Sequence, residues 1–276
     1  MSILTKIFYS LLLCIAFQFG VVAQSLTKTL QLTIPGNKGA NGGAVVWHPV
    51  YKKYFAYFFG NANFPITDFD EKGKPFITDP EKLLISGVDL RGVWYNTAKR
   101  RLEFNGYDVY GWGHYHTNNY GIIDSIYRDF AGMNQPYSNS IGVYNTDLNT
   151  VVFPSEDFII YKYIVTKDGI VPEKLLALQL GCAKQSDADA LSDSEWQERV
   201  NSRNKSVQYT GIPTREYAIL NTEAYKIELY NAKTGLLTNS ITVPEIVPLE
   251  SFFNFSYSNK IWWFFNKEAR TWLGYK

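Results

Sequence analysis

"RGVWYNTAKRRLEF", residues 91–104, reads as an apolar strand, an Asn-Thr turn and a second strand, and two further stretches repeat it: "IGVYNTDLNTVVF" (141–153) and "YAILNTEAYKIELY" (217–230). With Asn96, Asn145 and Asn221 as anchors, the second strand opens six residues later each time, at Leu102, Val151 and Ile227. Asn suits the anchor because its short side chain bonds backbone groups a few residues on and so holds a turn. Two looser copies share the frame. "GGAVVWHPVYKKYFAYF" (42–58) has His48-Pro49 in place of Asn-Thr, and "FFNFSYSNKIWWFF" (252–265) stands near the end of the chain.

Working outward, the anchors His48, Asn96 and Asn145 lie 48 and 49 residues apart, near the repeat length of blades made of four short antiparallel strands. Third and fourth strands follow the hairpins around the Lys-Gly, Asp-Gly and Thr-Gly turns at Gly73, Gly169 and Gly235, where glycine tolerates positive φ. The composition agrees: 16% of residues are aromatic, a type that fits pleated, half-buried surfaces. The expected class is all-β, a β-propeller of five blades. Its last blade has only three strands of its own. "TKTLQLTIP" (27–35) alternates Leu30, Leu32 and Ile34 against Thr29, Gln31 and Thr33, so this N-terminal strand is expected to pair beside the C-terminal strand around Trp272 and close the ring.

The 76 residues from Asn145 to Asn221 exceed one blade. Residues 181–207 hold few strand formers and read as a polar insertion with a short helix, capped by Ser192 and carrying Trp196 and Val200 on one face. Six blades, two of them compact, is the alternative.

The repeats resemble β-propellers of the loose YVTN, WD40-like kind found in secreted bacterial proteins. "LYNAKTGLLTNSITVP" (229–244) carries the likeness through its tyrosine, Thr-Gly turn and isoleucine before proline. The Trp-Asp and Gly-His pairs of true WD40 repeats are absent. The resemblance implies a fold and a tendency to bind, and no reaction.

Residues 1–23 read as a secretory signal peptide: Lys6 precedes an apolar run from Ile7 to Val22, and Val21 and Ala23 suit cleavage after Ala23. The single domain then runs over 24–276, with no transmembrane segment in the mature chain and a secreted, periplasmic or cell-envelope location. Cys14 leaves with the signal and Cys182 remains alone, so no internal disulfide forms. A formal net charge of +1 argues for no nucleic-acid partner.

In a propeller the loops entering the innermost strands and those joining second to third strands converge on one face. The phase of the repeat assigns to it residues 36–43, 87–91, 105–121, 128–139 and 211–216, with Gly43, Arg91, Ser140 and Glu216 as equivalent positions. Candidate ligand-binding residues there are Arg91, Arg215, Trp112, Tyr115, His114 and His116, facing a carbohydrate, a peptide or an envelope protein. His114 and His116 have the spacing of two imidazoles on one strand face, but a metal would need Asp108 or Asp124 as well, and neither a metal nor a cofactor is expected. Asp89 and Glu216 are the candidate catalytic carboxylates of the alternative reading, a glycan-active hydrolase. The stripe Trp47, Trp94, Tyr144 and Tyr257 is read as packing between blades.

Overall fold

The computed structural model describes residues 26–166 and 169–276, and the expected signal peptide lies outside the described residues. Twenty strands form five four-stranded antiparallel sheets. The first is β2 (Gly42–His48), β3 (Lys53–Phe58), β4 (Pro65–Phe69) and β5 (Leu84–Ile85). The second is β6 (Leu90–Asn96), β7 (Arg101–Gly106), β8 (Trp112–Thr117) and β9 (Ile123–Phe130). The third holds β10 (Val143–Asn145), β11 (Thr150–Pro154), β12 (Ile159–Thr166) and β13 (Gly169–Ala177). The fourth holds β14 (Gln208–Tyr209), β15 (Tyr217–Asn221), β16 (Lys226–Tyr230) and β17 (Leu237–Thr242). The fifth joins β18 (Phe255–Ser258), β19 (Ile261–Asn266) and β20 (Thr271–Tyr275) to the N-terminal β1 (Lys28–Thr33).

The protein is thus a five-bladed β-propeller, latched as expected: Leu32 lies opposite Trp272 in the antiparallel β1–β20 pair. No sixth blade is present among the described residues. Part of the excess between Asn145 and Asn221 is taken up by α1 (Gln185–Asp189) and α2 (Asp193–Asn201), the latter opened by a capping box between Ser192 and Glu195. Among the described residues no helix is long and apolar enough to cross a membrane.

The repeated turn works as its chemistry implies. Asn96, Asn145 and Asn221 each accept, through Oδ1, the backbone N–H three residues on, at 3.0, 2.9 and 2.9 Å. Asn266 does the same between β19 and β20. The fourth residue after the anchor is left-handed each time, at Arg100, Asn149, Tyr225 and Arg270. The phase expected for the third copy is corrected, however. The Asn96 and Asn145 turns join first to second strands, whereas the Asn221 turn joins β15 to β16, the second and third strands of its blade. The hairpin is a local unit that serves either position.

His48 replaces Asn by the same means: its Nδ1 accepts the Tyr51 N–H, and Lys52 is left-handed. An accepting Nδ1 requires a neutral ring. The side chain is buried beside Tyr51 and Tyr95, and burial holds its pKa down at about 4. Below about pH 6.5 the unfolded chain takes up a proton there that the folded one refuses. The contribution of His48 is therefore complete above that pH and is lost as pH falls from 6.5 to 4, by up to about 3 kcal/mol. Urea unfolding of the parent and of His48→Asn at steps between pH 7 and 4 should show the parent losing stability by that much more than the variant.

Among the described residues the apolar core is divided into five clusters that lie between successive blades. Side chains also hydrogen-bond across every junction. Asn254 accepts Gly42 N–H, Tyr57 donates to Arg91 O, and Asn105 accepts Gly142 N–H. Asn145 donates to the Tyr217 hydroxyl, and Gln208 accepts Tyr257 N–H. The inner strands are thereby fixed against one another, and the residues at their ends are held in place.

Candidate functional site

The inner strands β2, β6, β10, β14 and β18 run parallel around the axis, so their starts share one end of the channel and their ends the other. Arg91 opens β6 at the loop-rich end. Glu216 follows β14 and precedes β15, which puts it at the opposite end. The two ends are separated by an inner strand, about 20 Å for the seven residues of β6. Asp89 and Glu216 are therefore not brought together, and a glycosidic bond needs its carboxylates within about 10 Å of each other. Each is occupied locally. Asp89 pairs with Arg91 at 2.6 Å and accepts Gly60 N–H at 2.8 Å. Glu216 accepts Thr214 and Ala232 N–H at 2.8 and 2.9 Å, tying its own turn to the one between β16 and β17. Arg215 lies beside Glu216, away from Arg91.

Arg91 itself is only 5% exposed. Its Nε donates to Asn139, its Nη1 to Asp89 and Leu90 O, and its guanidinium lies over Tyr107 at 4.4 Å. It also lies over Phe59 and Phe253, which stack at 3.5 Å. Phe253 and Asn254 both take left-handed φ, which aims the Phe253 ring at this stack. Side chains from several blades thus fill the loop-rich end, where Arg91 and Asp89 form a packed ion pair.

The stretch from 105 to 121 is likewise drawn into structure. Trp112 is 8% exposed, packs in the cluster between the second and third blades, and donates Nε1 to Asn134 O. Tyr115 is 1% exposed and donates its hydroxyl to Ser86 O. Both face inward because β8 is a third strand, covered by the neighbouring blades, rather than a loop. His114 stacks on Tyr127 and bonds Asp129, while His116 bonds Asp124 at 2.6 Å. The two imidazoles thus go to separate carboxylates, and no group of three ligating side chains forms among the described residues.

A cavity opens at the other end, where the first-to-second strand turns converge. Its volume is about 270 Å³. All five blades contribute: Trp47 and Pro49, Trp94 and Tyr95, Tyr144 and Thr146, Gln208 and Tyr209, Tyr257 and Asn259. The whole of the stripe Trp47, Trp94, Tyr144 and Tyr257 is here, so residues read as packing also form the wall of a mouth. Tyr95 and Tyr209 add to it. Trp47 and Tyr95 each stand one residue before a turn anchor, a position that the repeat itself could have marked.

The wall is rigid. Tyr54 backs Trp47 at 4.6 Å, Tyr217 backs Tyr209 at 5.5 Å, and Trp262 backs Tyr257 at 4.3 Å. Lining side chains are aromatic, aliphatic or neutral polar. The Tyr209 hydroxyl is buried beside Asp147. Burial, and then a hydrogen bond to the Asp147 carboxylate, push its pKa up, so it is a neutral phenol that faces Asp147.

No family model and no curated protein matches the chain. Among solved structures it is similar to a gluconolactonase from Xanthomonas campestris, at 11% identity over 92% of this chain and 84% of that one, with a TM-score of 0.46. It is similar to a protein of unknown function from Bacteroides thetaiotaomicron, at 13% identity over 85% of this chain and 58% of that one, TM-score 0.47. A chain of a nidogen/laminin complex shares 9% identity over 82% of this chain and 73% of that one, TM-score 0.39. Likenesses of this size say nothing of what the chain does.

Proposed function

We propose that the protein is an exported, non-catalytic binding propeller that takes its ligand in the channel mouth walled by Trp47, Tyr95, Tyr144, Tyr209 and Tyr257. The observation that carries this reading is a preformed aromatic concavity to which every blade contributes and whose lining is uncharged. Export rests on the apolar leader that ends at Ala23. A carbohydrate, a peptide or an envelope protein remains the class of partner.

Ligand-observed NMR with a mixed library of small saccharides and short peptides tests the location. Thr146 is an exposed residue of the rim, and Thr146→Arg is expected to weaken binding at least tenfold with the melting temperature unchanged. Tyr107→Ala, at the loop-rich end, should leave binding as it was. The reverse pattern would return the site to the loops.

A further inference from the structure

Resting on that reading, we infer that the mouth is a subsite for one uncharged sugar ring, stacked on the aromatic wall and hydrogen-bonded at its edge. Four features of the cavity select this ligand class together.

The first is size. At about 270 Å³ the cavity is at the small end of ligand sites and suits a single ring rather than a length of peptide backbone. The second is the wall. A pyranose has a face of C–H groups that lies well against an aromatic plane, and rings already fixed from behind, as Trp47, Tyr209 and Tyr257 are, lose little freedom on binding.

The third is the placement of polar groups. Asn259 donates its amide to the Tyr54 hydroxyl, which leaves its side-chain oxygen as an acceptor. Thr97 and Thr146 add hydroxyls at the rim. A wholly apolar ligand that covered these groups would leave them without partners, at a cost of about 1–3 kcal/mol for each one buried. The hydroxyls of a sugar satisfy them. The fourth is charge. With a neutral lining, a carboxylate or ammonium would lose its hydration without a counter-charge, and Asp147 near Tyr209 further disfavours an anion.

The test is a fluorescence titration that follows the tryptophans of the mouth, using methyl glucoside, methyl N-acetylglucosaminide, glucuronic acid and indole as probes. Saturable binding of a neutral glycoside is expected, with glucuronic acid at least tenfold weaker. Replacing both Thr97 and Thr146 by Val, which removes two rim hydroxyls and keeps the side-chain shapes, should weaken the glycoside about tenfold while indole binding stays the same. Binding of indole alone, equal binding of the sugar and its acid, or an unchanged glycoside affinity in the double variant would overturn the sugar assignment and leave the mouth as the site. Failure of all four probes, in a protein with its parent circular dichroism spectrum, would overturn both.

Discussion

Deleting residues 26–34 should unfold the whole protein rather than shorten it. The segment supplies β1, the fourth strand of the fifth blade, and Leu32 and Ile34 are almost wholly buried in the cluster that joins that blade to the first. Without it, β20 becomes an exposed edge, and Trp272, Trp263 and Phe265 lose apolar cover on the side where the ring must close. An open arc also exposes the junction at which Asn254 and Ser256 hold the backbone of β2. The expected signature is loss of the cooperative thermal transition, with binding of a hydrophobic dye. A milder change scales the effect. Leu32→Ala leaves the hydrogen-bonded ladder intact and empties a fully buried site, which should cost about 2–5 kcal/mol by chemical denaturation. Thr29→Ala, on the same strand but exposed, should cost well under 1 kcal/mol. Equal losses in the two variants would mean that the strand does not act as a latch.

How far the sequence disclosed all this depended on the range of the interaction concerned. The hairpins were legible because an Asn side chain, a left-handed residue and two apolar strands settle matters within a dozen residues. Closure was legible because β1 alternates cleanly and the last blade lacked a strand. The phase of the fourth blade was not. Its inner strand β14 is only Gln208–Tyr209, too short for an alternation to register, so the prominent hairpin at Asn221 stood in for it. That substitution shifted the blade by one strand and carried Glu216 and Arg215 to the wrong end of the channel. The mouth is not legible in the sequence for a related reason. An aromatic residue at the end of an inner strand has the same local pattern whether its ring meets a neighbouring blade or a solvent-filled space, and the difference arises only once the ring is closed. Arg91 and Asp89 drew notice as charged residues at a blade entrance, but two residues apart they were able to neutralise each other.

The fourth blade also holds the buried charge pair on which the remaining large effect depends. Arg203, at the end of the insertion, meets Glu228 of β16 through two bonds of 2.8 and 2.9 Å, with both side chains under 10% exposed. Asn221 and Tyr230 add hydrogen bonds to the same carboxylate, and the Tyr230 hydroxyl accepts Gly181 N–H from the start of the insertion. Burial opposes ionisation of Glu228, but these bonds outweigh it and hold its pKa below the ordinary carboxylate range. Its stabilising contribution is therefore present above the usual glutamate pKa and is lost only as pH falls below it. Removing one partner strands the other charge, so Glu228→Met and Arg203→Met should each cost about 3–5 kcal/mol. Replacing both removes the stranded charge as well as the pair. The double variant should lose less than the sum of the single losses by several kcal/mol, measured by urea unfolding at pH 7 as a double-mutant cycle. Simple additivity would show that the insertion is held on the blade by its apolar contacts, Val200 and Trp196 against Tyr217 and Tyr230, and that the charges merely tolerate burial.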